Sequence, residues 1–211
     1  MREHTPLKKD LIVLVADKSQ EMAIDTLLKN RRRSLGIRRI TYDIDRHPQH
    51  DPAIYKRGAL YLSTFAEQYY WALVVLDAQW EGSPGTKDIQ KKLTQELAEM
   101  GWKGRSKVIV IDPELEVWVW STSPYVGKIL DVTLEHAKQL GRENGWWHEK
   151  EPKPCQPKLL LDYVLRQEGK SKSASWFGKL ARKVGIANCA DASFCELKAV
   201  LKEWFPIRQR D

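Results

Sequence analysis

The chain has 211 residues, 42% of them apolar, which suits one α/β domain with an appended lobe and is ample for a hydrophobic core. Thirty-five Lys and Arg against 28 Asp and Glu give a net charge of +7, a balance that suits a polyanionic partner and equally a solubilising surface. A mean hydropathy of −0.52, a polar opening MREHTPLKKD and three cysteines at no zinc spacing argue against a membrane span, a secretory leader, a disulfide framework and a zinc fold. The expectation is a soluble, cytoplasmic protein with reduced thiols.

Residues 11–16, Leu-Ile-Val-Leu-Val-Ala, are too short a run for a helix and predict a strand buried on both faces, ending at Asp17. Met22, Ala23 and Leu27 then recur at helical spacing over 19–29, with Ser19 as the expected N-cap. A basic block from Lys29 to Arg39 leads into a second strand expected over 39–43. The turn formers of 45–52, closed by Asp51-Pro52 as N-cap and first-turn proline, predict a helix to about residue 67. Trp71 to Leu76, running into Asp77, is the clearest strand; a Gly/Ser/Pro loop over 81–85 separates it from an amphipathic helix over 87–100. Residues 107–111 make a fourth strand, ending at Asp112.

This alternation predicts an α/β fold with a doubly wound, mainly parallel sheet. From residue 121 the pattern turns helical: one helix from Pro124 to about Leu140, a linker over 141–157 rich in charge, Pro and Trp, and helices over 159–165, 176–184 and 194–204. The division is an α/β core over 1–120 and a C-terminal helical extension over 121–211 packed on it.

Aspartates stand where the predicted strands end: Asp17, Asp43 with Asp45, Asp77 and Asp112. The carboxyl ends of parallel strands share one edge, where such sheets bind ligands, so several carboxylates are expected to converge and to recruit Mg²⁺ or Mn²⁺, hard ions that prefer oxygen. Aspartate is also common at strand ends and helix caps for purely local reasons. A helix beginning near Pro113 would put Glu114 and Glu116 about 200° apart, leaving one facing the cluster.

Pro113-Glu-Leu-Glu-Val-Trp118 resembles the Pro-x-(Phe/Leu)-Glu-x-Trp segment of Toprim-like proteins of the RloB and OLD-nuclease type, and Leu76-Asp77-Ala-Gln79 falls where those proteins carry an Asp-x-Asp pair. From Asp10 to Phe205 the chain resembles small bacterial proteins of methylation-associated antiphage defence systems, including His47-Pro-Gln-His-Asp-Pro52 and Leu197-Lys with Trp204-Phe205. The resemblance implies a Toprim-like sheet and metal-assisted phosphodiester cleavage. Asp77, Glu116 and Asp17 would be its catalytic acids, and Asp77, Asp112, Glu116 and Asp17 its ligands for Mg²⁺ or Mn²⁺. Two departures matter: Ala16 stands in the slot of the glutamate that follows strand one, with Asp17 one residue later, and Gln79 replaces the second aspartate. The alternative implied is a degenerate subunit that binds nucleic acid or protein without cutting. Nucleic acid and other defence proteins are the expected partners, with self-association open.

A second candidate cluster is Asp43, Asp45, His47 and His50, whose imidazoles suit a transition metal or a general base, although turn chemistry accounts for Pro48, Asp51 and Pro52 without function. His4, His136 and His148 have no supporting context. The expected nucleic-acid contacts are Lys18, Arg31, Arg32, Arg33, Arg38, Arg39, Lys179, Arg182 and Lys183, the last three beside Trp176 and Phe177. Trp80, Trp146 and Trp147 fall in predicted loops and are expected at interfaces; Trp71, Trp118 and Trp204 are expected in cores. A response-regulator receiver domain, suggested by Leu73 to Gly82, fits poorly because no fifth strand ending in Lys follows.

Overall fold

The computed structural model describes residues 7–184, 189 and 191–207; His4 lies outside them. Among these residues four strands, β1 (Lys9–Val15), β2 (Tyr42–Arg46), β3 (Tyr69–Asp77) and β4 (Ser106–Ile111), form an all-parallel sheet of order β2-β1-β3-β4. The central strands are apolar on both faces because both faces are covered. Leu11, Val13, Val15, Leu73, Val75, Ile109 and Ile111 join one core, while Ile12, Leu14, Ala16, Ala72, Val74, Leu76, Val108 and Val110 join the other.

The first core is closed by α1 (Lys18–Asn30), the short α2 (Arg32–Leu35) and the C-terminal helices α7 (Pro157–Gln167), α8 (Ala174–Lys183) and α9 (Ala192–Trp204). The second is closed by α3 (His50–Ser63) and α4 (Thr86–Leu97). The fold is therefore the doubly wound α/β architecture that the alternation predicts. The C-terminal helices complete the first core themselves: Leu160, Leu161, Val164, Phe177 and Leu197 are buried in it together with Val13 and Ile109. No helix among the described residues is long and apolar enough to cross a membrane.

Several elements differ from expectation for local reasons. β2 lies three residues later than predicted, since an edge strand tolerates polar residues: Asp43 and Asp45 are held by tyrosines, and half-buried Tyr42 and Ile44 supply its apolar contacts. Asp17, not Ser19, caps α1, its carboxylate accepting from the Gln20 N–H at 2.8 Å. The predicted helix to Leu140 breaks into α5 (Pro124–Leu130) and α6 (Leu134–Glu143) at Asp131, which takes a left-handed φ of 66°. Trp147 is 4% exposed and belongs to the core, where an interface position is predicted, although 142–145 and 148–152 around it are exposed. Trp71 and Trp204 stack at 4.6 Å, half-buried, and Trp118 packs edge-on against Phe194.

Candidate functional site at the carboxyl edge

The sheet order reverses between β1 and β3, so the crevice at their carboxyl ends is the topological switch point. β3 ends there at Asp77. Gln20, fully buried in the first turn of α1, bolts the two strands together: its Oε1 accepts the Ala16 N–H at 2.9 Å, and its Nε2 donates to Asp77 Oδ1 at 3.0 Å. The same Asp77 oxygen accepts the Leu115 N–H at 3.0 Å, and the Asp77 N–H donates to Asp51 Oδ1 at 2.8 Å from the first turn of α3.

After β4 the chain makes a 3₁₀ turn, Leu115–Trp118, preceded by Glu114 in extended conformation (φ −162°, ψ 167°). That shape overturns the expectation that only one glutamate faces the cluster. Both side chains are largely buried, Glu114 13% and Glu116 8% exposed, and both add negative potential at Asp77.

The electrostatics follow from this crowding. Burial pushes the Asp77 carboxyl well above the ordinary range, and Asp51, Glu116, Asp17 and Glu114 push it further. Asp51 is raised by burial and by Asp17, against hydrogen bonds from the Asp77 N–H and Gln20 that favour its charged form. Burial and the neighbouring Glu116 raise Glu114 despite Lys158. Asp77 is half-buried as a residue, but its carboxyl is enclosed by the cluster. Asp17 reaches this group although it lies one residue beyond the expected slot, because β1 ends at Val15 and the cap of α1 turns it back.

The chain supplies its own counter-ions from the C-terminal helices. Lys172, between α7 and α8, places Nζ 3.0 Å from Glu116 Oε1 and 2.9 Å from Asp162 Oδ1. Burial pulls this ammonium down, but Asp162 and Glu116 outweigh it and hold its pKa above the ordinary value. Lys158, in α7, stands 3.6 Å from Glu114.

All-carboxylate donors match Mg²⁺ or Mn²⁺ in kind. The arrangement does not: among the described residues no three His, Cys, Asp or Glu side chains are placed to hold a metal ion, and the oxygens face Gln20, the Leu115 N–H and the two lysines.

Of the other sequence candidates, Asp112 is exposed and accepts from Thr86 Oγ1 at 2.9 Å, at the start of α4. Asp43 binds Lys9 Nζ at 2.6 Å and the Tyr69 hydroxyl; Lys9 and Tyr69 open β1 and β3, so this group lies toward the amino edge, and its pKa is lowered, the two partners outweighing burial. Asp45 accepts from the Tyr61 hydroxyl at 2.9 Å. His47 is buried edge-on against Tyr61, and burial, Arg57 and His50 lower its pKa, which keeps it neutral at neutral pH. His50 meets the Ala16 carbonyl at 3.2 Å through Nδ1 and lines an open cleft with Asp17, Lys18, Arg46 and His47. The predicted second cluster is thus divided between separate structural roles. Gln79 is exposed, its N–H donating to the Pro113 carbonyl.

The basic residues divide as well. Lys18 pairs with Glu21 at 2.5 Å, and Arg38 grips Asp10 at 2.6 Å with its guanidinium over Phe205. Arg31 donates to the carbonyls of Ala181, Arg182 and Val184 at 3.1, 2.8 and 2.9 Å. Arg31 is thus an internal anchor, while Lys18 and Arg38 are exposed but paired with acids of the fold. Arg32 is half-buried, and Arg33, Arg39, Lys179, Arg182 and Lys183 are exposed.

Sequence reasoning missed Gln20, Lys158 and the pairing role of Lys172, weighed Glu114 only as an alternative to Glu116, and read Asp51 only as a turn former. The signal for Glu114 was present in the Pro-Glu-Leu-Glu segment. Nothing local marks Gln20 or the lysines, because their partners are distant in sequence. No protein-family model, curated protein or solved structure matches this chain.

Proposed function

We propose that the chain is a cytoplasmic, nucleic-acid-binding subunit of a bacterial antiphage defence system, built on a Toprim-like scaffold whose acidic centre is catalytically degenerate. One observation carries the degenerate centre: Lys158 and Lys172 neutralise Glu114 and Glu116, in a crevice where no three acids are placed for an ion. Ala16 and Gln79, the two departures from the resembled motif, agree with it. The resemblance of the Pro113 to Trp118 segment and the basic surface support the nucleic-acid and defence parts of the reading. Purified protein incubated with plasmid and single-stranded DNA in Mg²⁺ or Mn²⁺ is expected to leave both intact.

A second reading, a Mg²⁺- or Mn²⁺-dependent nuclease, draws support from one specific feature. Asp51, Asp77 and Glu114, gathered at the carboxyl edge of the sheet, all have raised pKa values, a strain that an incoming divalent ion would relieve. Cleavage by the wild type that Asp77→Ala and Glu116→Ala each abolish would establish that reading and overturn the first.

A further inference from the structure

The two basic blocks of the sequence are one surface, and Arg31 joins them. Its guanidinium reaches 150 residues along the chain to the carbonyls that end α8, so the cations flanking Arg31 and those on the last turn of α8 are brought side by side. α1 and α8 run together in the same sense. Lys172, just before α8, lies at the acid cluster near the start of α1, and Val184, just after α8, lies at Arg31 beyond its end. Between these points Gly178 sits against Met22 and Thr26, where an added methyl group would come within 3.3 Å of both. Lys202 extends the surface from α9, its aliphatic stem lying 3.6 Å from the Cβ position of Gly36 at the end of α2.

We infer that Lys29, Arg32, Arg33, Arg182, Lys183 and Lys202 form a docking surface for a nucleic-acid phosphate backbone, at the opposite end of α1 from the acid cluster. Among the described residues none of the six makes an ion pair, in contrast to Lys9, Lys158, Lys172 and Arg38, which are spent on acids of the fold. The exposed carbonyls of a helix end would ordinarily weaken a cationic patch. Here Arg31 satisfies those of α8, so the neighbouring charges remain available to a ligand. An unpaired set of arginines and lysines gathered at one end of α1 repels itself and is relieved by a polyanion with regularly spaced charges. Half of the six are arginines, whose planar forks match phosphate oxygens bidentately. This inference rests on the nucleic-acid part of the proposed function and is independent of catalysis.

The test is fluorescence anisotropy with a labelled DNA duplex of mixed sequence, in EDTA, across a range of salt. The triple variant Arg33→Glu, Arg182→Glu, Lys183→Glu is compared with Lys56→Glu, Lys87→Glu, Lys91→Glu, which makes the same charge change on α3 and α4. Thermal unfolding of both variants confirms that they fold. The first variant is expected to weaken binding about tenfold or more at 0.1 M salt and to lower the salt slope by about 3, while the second leaves the slope nearly unchanged. Equal weakening by both variants, or binding of poly-glutamate in place of DNA by the wild type, overturns the inference. If the wild type binds DNA and the first variant binds equally well, this surface is wrong and the nucleic-acid reading survives. If the wild type binds no DNA at all, both fail.

Discussion

The two ends of α1 show two ways of treating charge. At its start, Asp17 joins Asp51, Asp77, Glu114 and Glu116 in a crevice where burial and neighbouring carboxylates raise the pKa values of Asp51, Asp77 and Glu114, and the chain brings in Lys158 and Lys172 as counter-ions to Glu114 and Glu116. At its end, about 20 Å away for a helix of this length, like charges are left exposed and only the guanidinium of Arg31 is spent, on carbonyls. One end carries counter-ions of its own and the other does not. The lesson is that the conspicuous concentration of catalytic-type residues need not be the region with chemistry to offer a partner.

Breaking the internal neutralisation is expected to have the largest effect. Lys172→Ala leaves Glu116 and Asp162 without their shared cation and should cost about 2 to 3 kcal/mol in urea unfolding at neutral pH, less than a fully buried pair since Lys172 keeps a quarter of its surface in water. Adding Glu116→Gln should restore most of that loss, and additive losses would show that the pair is not coupled. Arg31→Ala removes the charged Nη1 donor that three carbonyls at the end of α8 share and should cost about 2 kcal/mol, read by the same unfolding curves.

Relieving the crowding should move stability in the other direction. The raised folded-state pKa of Asp77 means that the native protein holds its proton more tightly than the unfolded chain. Its stabilising contribution is full below the ordinary aspartate value and is lost as pH rises through the raised one. Asp77→Asn should therefore be nearly neutral near pH 4 and stabilising by on the order of 1 kcal/mol at pH 7, seen as a Tm difference that grows with pH. A difference that shrinks with pH would mean that the carboxylate is stabilised, not crowded. The smallest effect belongs to the exposed end: Arg33→Ala should change unfolding free energy by less than about 0.5 kcal/mol.

The same contrast shows how much of the molecule could be read from its sequence. Apolar runs such as Leu11 to Ala16 and Ala72 to Leu76 are buried on both faces, so composition alone places β1 and β3, and the acids that follow them fall at the carboxyl edge. β2 is harder because its polar alternation is that of a half-exposed edge, and its two aspartates are each taken by a tyrosine, Asp43 toward the amino edge and Asp45 by Tyr61 of α3. Asp17 and Asp77 were legible in position. Gln20 was not, since a buried glutamine between two strand ends leaves no periodic or spacing signal. The role of Lys172 depends on a contact across 56 residues, which only the packing of the C-terminal helices creates. Arg31 illustrates the converse: within an arginine-rich block Arg31 and Arg38 serve the fold while Arg33 and Arg39 face solvent, and the sequence treats them alike.

Calorimetric titration of the wild-type protein with Mg²⁺ and with Mn²⁺ at neutral pH tests the central claim that the acid centre is closed by the chain's own lysines. The account predicts no saturable binding to the wild type and detectable binding once Lys172 is replaced by Ala; stoichiometric binding to the wild type that Asp77→Asn removes would contradict it.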